Sequence, residues 1–182
     1  MSEPLINGQV ILPDRTINIT VVTMKNLIFF FVFILATCSP VTAQVKVYKG
    51  TSTYTSDVIC TVKDGKVYKK MSSYTSDILC HIKENKVYKG NSGYTSDVIY
   101  TISDGKVYKG TSSYTSDIAF TVRDSKVYKG TSSYTSDILA TIDDNRVYIG
   151  TSSYTSDIMF TIDGNLTIEE FVGVWYAVKY CY

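Results

Sequence analysis

KVYKGTSTYTSDVICTVKDG, residues 46–65, sets the pattern of this chain and recurs with substitutions but no insertion. Its Val47-Tyr48 pair returns at Val67-Tyr68, Val87-Tyr88, Val107-Tyr108, Val127-Tyr128 and Val147-Tyr148, 20 residues apart each time. Its Tyr54-Thr55-Ser56-Asp57 block returns from Tyr74, Tyr94, Tyr114, Tyr134 and Tyr154. Self-similarity at a fixed period is the mark of a repeat architecture. Each unit holds two strand-like runs, strand A of the Lys46–Lys49 type and strand B of the Asp57–Lys63 type. Between B and the next A stand Asp64-Gly65, Glu84-Asn85, Asp104-Gly105, Asp124-Ser125 and Asp144-Asn145. Asp-Gly between β-formers predicts a two-residue type I′ hairpin, because both residues tolerate positive φ. The longer A-to-B connection is rich in Gly, Ser and Asp, which bond back to the chain and hold a fixed loop.

A two-residue turn at 64–65 sets the register: Val62 faces Val67, Thr61 faces Tyr68 and Cys60 faces Lys69. Side chains alternate across a strand. Val58, Cys60, Val62 and Val67 then share one face, and Asp57, Ile59, Thr61 and Tyr68 the other. The first face is the more apolar and is expected to point inward, with Lys69 escaping at a rim.

After the repeats, Leu166-Thr167-Ile168-Glu169-Glu170-Phe171 reads as a helix start. Thr167 and Glu170 make a capping box, and Leu166 with Phe171 a hydrophobic staple. The helix is expected to run to the chain end and, being apolar nearly all round, to be buried all round. Six hairpins supply twelve strands, an even number that an antiparallel barrel can close. At ~4.8 Å spacing and ~40° tilt such a barrel is about 22–24 Å across. A helix of ~10–12 Å would plug it, leaving room for one layer of side chains. The predicted fold class is therefore mainly β: a closed 12-stranded antiparallel barrel around a C-terminal hydrophobic helix. The alternative is an open β-hairpin solenoid capped by the helix.

Twelve strands around a hydrophobic C-terminal helix resembles the tubby-like and phospholipid-scramblase barrel, in architecture only. That resemblance implies an envelope- or lipid-associated barrel, and no residue motif carries family roles onto this chain. The solenoid alternative resembles the hairpin repeats of bacterial cell-wall-binding proteins, but the one Trp, Trp175, lies outside the repeats.

The sequence offers no catalytic constellation. There is no nucleophile elbow, no Gly-rich phosphate loop and no metal-ligand cluster, so no catalytic residue, cofactor or metal is expected. His81, the only His, stands where the other units have Thr. The net charge of +1 gives no reason to expect a nucleic-acid partner. The 16 tyrosines are the functional lead. Two rows run through the repeats, one at the Tyr48 position and one at the Tyr54 position. The candidate surface-binding residues are Tyr48, Tyr68, Tyr88, Tyr108, Tyr128 and Tyr148, since Tyr offers a flat apolar face and a hydroxyl to a glycan or protein. The same side chains also suit cross-strand packing. Lysines along the A strands, such as Lys46, Lys49, Lys66 and Lys69, could meet anionic lipid or keep the sheet soluble.

Upstream, Met24-Lys25 opens a basic start, 27–37 is an apolar run, and Val41-Thr42-Ala43 is a small-residue cleavage site. That order is a secretory signal too short to span a bilayer. Residues 1–23 are then expected to be a non-native upstream extension, 24–43 a signal peptide, 44–163 the six repeats and 164–182 the helix. The alternative is a lipoprotein anchored at Cys38. The reading is thus of an exported, non-enzymatic structural or surface-binding module. N-terminal sequencing of the exported protein is expected to begin at Gln44; a lipid-modified Cys38 at the N-terminus would overturn that expectation.

Overall fold

A computed structural model describes residues 44–182. The expectations for the upstream extension, the signal and Cys38 lie outside the described residues. Twelve strands follow in order: β1 (Val45–Lys49), β2 (Val58–Lys63), β3 (Lys66–Lys69), β4 (Ile78–Lys83), β5 (Lys86–Lys89), β6 (Val98–Ser103), β7 (Lys106–Lys109), β8 (Ile118–Arg123), β9 (Lys126–Lys129), β10 (Ile138–Asp143), β11 (Arg146–Ile149) and β12 (Ile158–Asp163). One helix, α1 (Ile168–Tyr180), closes the chain.

Every strand pairs antiparallel with its sequence neighbours, and β1 pairs with β12 through Val47↔Ile162 and Tyr48↔Thr161. The ring is therefore closed and has no free edge. The hairpins take the expected register, with Val62 opposite Val67 and Thr61 opposite Tyr68. Both turn residues have positive φ, for example 52° at Asp64 and 68° at Gly65, as a type I′ turn requires.

The inward face is corrected at one position. Cys60, Val62 and Val67 are core residues, but Val58 is not among them, and Ile59 packs against the core instead. The cause is a β-bulge in the A–B pair. Val47 pairs with Cys60, yet its neighbour Tyr48 pairs with Val58, so Ile59 is the extra residue. The same shift occurs in all six units. A bulge reverses the facing of the residues beyond it and adds local twist, which helps short strands curl into a ring. Strand B also begins one residue later than expected, because Asp57 belongs to a 3-10 turn at 55–57.

The helix starts as its sequence predicts. The Thr167 hydroxyl accepts from the Glu170 backbone N–H at 3.2 Å, and Glu170 accepts from the Thr167 N–H at 3.0 Å. Phe171, Val172, Val174, Trp175 and Ala177 are buried in the lumen. The helix is not buried all round, since Ile168 and Tyr180 are exposed at its two ends. It does not run down the axis either, but lies against β2, β3, β4 and β5. Gly173 permits that approach: a Cβ there would stand 2.9 Å from Ile82 Cδ1 and 3.2 Å from Val67 Cγ2. The wall is thin on this side, where Cys60 and Cys80 occupy the position that Tyr100, Phe120 and Phe160 fill in three other units. Aromatic side chains take up space away from that wall. Phe120 meets Trp175 at 6.1 Å and Tyr100 edge-on at 5.6 Å between ring centroids.

Strand A ends in a residue of left-handed conformation that is Gly at 50, 90, 110, 130 and 150 but Lys70 in the second unit, at φ 52°. A side chain there costs roughly 1–2 kcal/mol, partly offset by the lower entropy of the unfolded chain. Lys70→Gly is expected to stabilise the barrel by about 1 kcal/mol, measured as a higher midpoint in chemical denaturation.

Candidate functional site

The outer wall and the A-to-B loops present the side chains that could meet a partner. On the wall, each tyrosine of the Tyr48 row lies between two strands. Tyr68 faces Thr61 on one side and Ile78 on the other. Tyr48, Tyr88, Tyr128 and Tyr148 are buried and Tyr68 and Tyr108 half-buried. These six side chains stand in the expected array, but most of their surface packs against cross-strand neighbours. The Thr beside each one clamps the neighbouring loop. Thr61 Oγ1 donates to the Lys70 carbonyl at 2.6 Å, and the series ends with Thr161 donating to the Gly50 carbonyl at 2.7 Å across the closing seam. In the second unit His81 does this work: its Nδ1–H donates to the Ser92 carbonyl at 3.3 Å. That places the lone His in a loop clamp.

The Tyr54 row has the opposite exposure. Tyr54, Tyr74, Tyr94, Tyr114, Tyr134 and Tyr154 are each 74–77% exposed. Every one rides on the same locked loop. Ser52 Oγ donates to Asp57 Oδ2 at 2.5 Å, the Tyr54 N–H donates to Ser52 Oγ at 3.1 Å, and the Asp57 N–H donates to the Tyr54 carbonyl at 2.9 Å. The other five units repeat these bonds at Ser72, Ser92, Ser112, Ser132 and Ser152. The recurrent Ser and Asp hold loops, and the tyrosine between them is offered to solvent at six equivalent stations around the ring. Exposed Lys49, Lys69, Lys89, Lys109 and Lys129 stand at the same end of the barrel, and exposed Ile149 breaks their series. Burial alone separates the two tyrosine rows, and the hydrophobic pattern of one unit does not reveal it.

Among the described residues, no three His, Cys, Asp or Glu side chains converge to hold a metal ion. Cys60, Cys80 and Cys181 are free thiols, the first two buried and the third exposed. Burial, and next the nearby Cys181, pushes the Cys60 thiol up to about 12. Burial likewise raises Cys80 and Tyr100 well above their ordinary values. These groups are neutral in the folded barrel and ionise more readily in the unfolded chain. Their contribution is present in full below pH 9 and declines as pH rises above the ordinary thiol value of 9.0. Stability is therefore expected to fall with pH from about 9 upward. Cys60→Ala with Cys80→Ala should flatten that slope between about pH 9 and 10 and leave the tyrosine part above it, as read from denaturation midpoints across pH.

Residues 47–175 match the family described as 6-fold beta flower protein. No curated protein and no solved structure matches the chain.

Proposed function

The chain belongs to the 6-fold beta flower family, and on that premise we propose that it is an exported, non-enzymatic repeat protein that binds a glycan surface through the Tyr54 row. The observation that carries this reading is the exposure of six tyrosines on six identically locked loops. A large amphipathic side chain left in water costs burial that the fold could otherwise have used. Here it is repeated at every unit. A sugar ring offers C–H groups to an aromatic face and hydroxyls to the phenol. Rigid loops lose little entropy when they bind. Six stations on one ring gain avidity on a repetitive polymer without any single tight site.

The Tyr48 row supports this surface from below through packing. The secretory pattern at 24–43 supports a location outside the cytoplasm, where such polymers occur. The lipid-associated alternative draws on the exposed rim lysines.

The test is a pull-down of the exported protein on insoluble cell-wall polysaccharide. Tyr54, Tyr94 and Tyr134 are changed together to Ala. Retention is expected to fall at least about tenfold, while the thermal midpoint stays close to the original because these side chains are exposed. Undiminished retention would overturn the glycan reading. Binding to anionic vesicles that weakens with salt and ignores the tyrosine changes would establish the lipid alternative.

A further inference from the structure

The three cysteines among the described residues gather on one side of the barrel. Cys60 in β2 and Cys80 in β4 hold the same inward place in adjacent units, and both are buried. They are not placed to bond to each other. β3 lies between them, and two strand spacings put them about 9–10 Å apart. A disulfide needs Cα atoms within ~7 Å.

α1 brings a third thiol to this wall. Gly173, Ala177 and Cys181 follow at four-residue steps and so share one face of the helix. That face is turned to the wall: the Cys80 thiol donates to the Gly173 carbonyl at 3.6 Å, and Ala177 is buried. Cys181 caps the helix, its N–H donating to the Ala177 carbonyl at 3.1 Å, and is exposed. Side chains on a helix lean back over the preceding turn, which aims its sulfur toward the lumen. The tail continues over the β2–β3 pair. Tyr182 lies beside Lys70, which follows Lys69, the ladder partner of Cys60. Lys179 to Tyr182 are all exposed, so this last turn is the part of α1 that opens most readily. The four residues from Ala177 to Cys181 span up to about 13 Å when extended. Opening the last turn therefore lets Cys181 come down on Cys60 while Ala177 stays packed.

We propose that Cys181 is a site of thiol–disulfide exchange and Cys60 its resolving partner, and that their bridge latches α1 to β2. The oxidant is a small disulfide, RS–SR. Cys181 attacks one of its sulfurs, and the first RS⁻ leaves with the Cys181 proton as RSH. The Cys60 sulfur then attacks the Cys181 sulfur of the mixed disulfide, and the second RS⁻ leaves with the Cys60 proton. Two protein thiols become one disulfide, and one small disulfide becomes two thiols. Cys181 acts first because it alone of the three is exposed. Neither residue belongs to the Tyr54 loops, so the latch stands or falls independently of the glycan reading.

The test treats the full chain with oxidised glutathione, blocks the remaining thiols and digests with trypsin without reduction. Cleavage after Lys49, Lys63, Lys70, Lys83 and Lys179 puts Cys60, Cys80 and Cys181 on separate peptides, 50–63, 71–83 and 180–182. The expected product is 50–63 joined to 180–182. Cys60→Ala, which puts there the residue type that Ala140 supplies in the fifth unit, should stop with glutathione on Cys181. Cys181→Ser, at an exposed position, should leave Cys60 and Cys80 reduced. The bridge closes a loop across most of the barrel, so the oxidised chain is expected to melt at least about 5 °C above the reduced one. Cys181→Ser should show no such rise. Three unreacted thiols, glutathione retained on Cys181 of the unaltered chain, Cys60 joined to Cys80, or Cys181 joined to Cys80 or to a second copy would each overturn the proposal. Should Cys60→Ala fail to fold, the peptide map of the unaltered chain and Cys181→Ser still decide it.

Discussion

A ring of twelve strands encloses more space than its own inward side chains can fill, and the rest of the molecule answers that constraint. Protein interiors pack to crystal-like density, so a twelve-stranded barrel, about 22–24 Å across its backbone, needs a second body inside it. α1 supplies one, burying Phe171, Val172, Val174, Trp175 and Ala177. A single helix cannot be six-fold symmetric, so its backbone lies nearer one side of the ring. It settles against β2–β5, the strands that include those of Cys60 and Cys80, with Gly173 allowing the close approach. Tyr100, Phe120 and Phe160 add bulk in other units. The inward Cys60 position, which reads Cys60, Cys80, Tyr100, Phe120, Ala140 and Phe160, is where the repeats diverge, because each must match a different part of one asymmetric plug.

Outside the sheet the opposite rule holds, and the units remain alike. The bulge after Val47 turns Tyr48 and Val58 outward together, giving each hairpin a small outer layer of packing. Thr61 and its equivalents tie each strand to the next loop, and Thr161 carries the tie across the seam to Gly50. With the Ser52–Asp57 bond inside each loop, every tyrosine of the Tyr54 row has the same backbone geometry beneath it. Regular display is therefore a product of satisfied hydrogen bonds, each worth about 1 kcal/mol, repeated six times.

The loops and the tyrosine rows differ in how far the residues reveal them. The Ser-Asp pairs read as loop closure from their spacing alone, and the lone His81 as a substitution within the repeat. Both readings rest on short-range chemistry. The two tyrosine rows could not be told apart that way. Tyr48 and Tyr54 are the same residue type at the same period, and their difference is whether a neighbouring strand covers the ring. A crevice of about 220 Å³ beside the helix start was not legible either, because Val122, Ile142, Ile162, Leu166 and Phe171 come from β8, β10, β12, the segment before α1 and α1 itself.

The sequence by itself determined the units, the two-residue turns, the hairpin register and the capped start of the helix. Each of these depends on residues within a few positions of one another: positive φ at Asp64-Gly65, the Thr167–Glu170 reciprocal bonds, alternation along one strand. Ring closure was expected from the even strand count and the need to bury an apolar helix, but it was achieved only when β1 met β12 across the whole chain. The bulge that moved Val58 outward, the burial of the Tyr48 row and the offset of the helix were decided by tertiary structure alone. A bulge is chosen by the curvature that closure demands, and the helix position by the volumes of six inward side chains at once. Neither quantity exists within a single 20-residue unit.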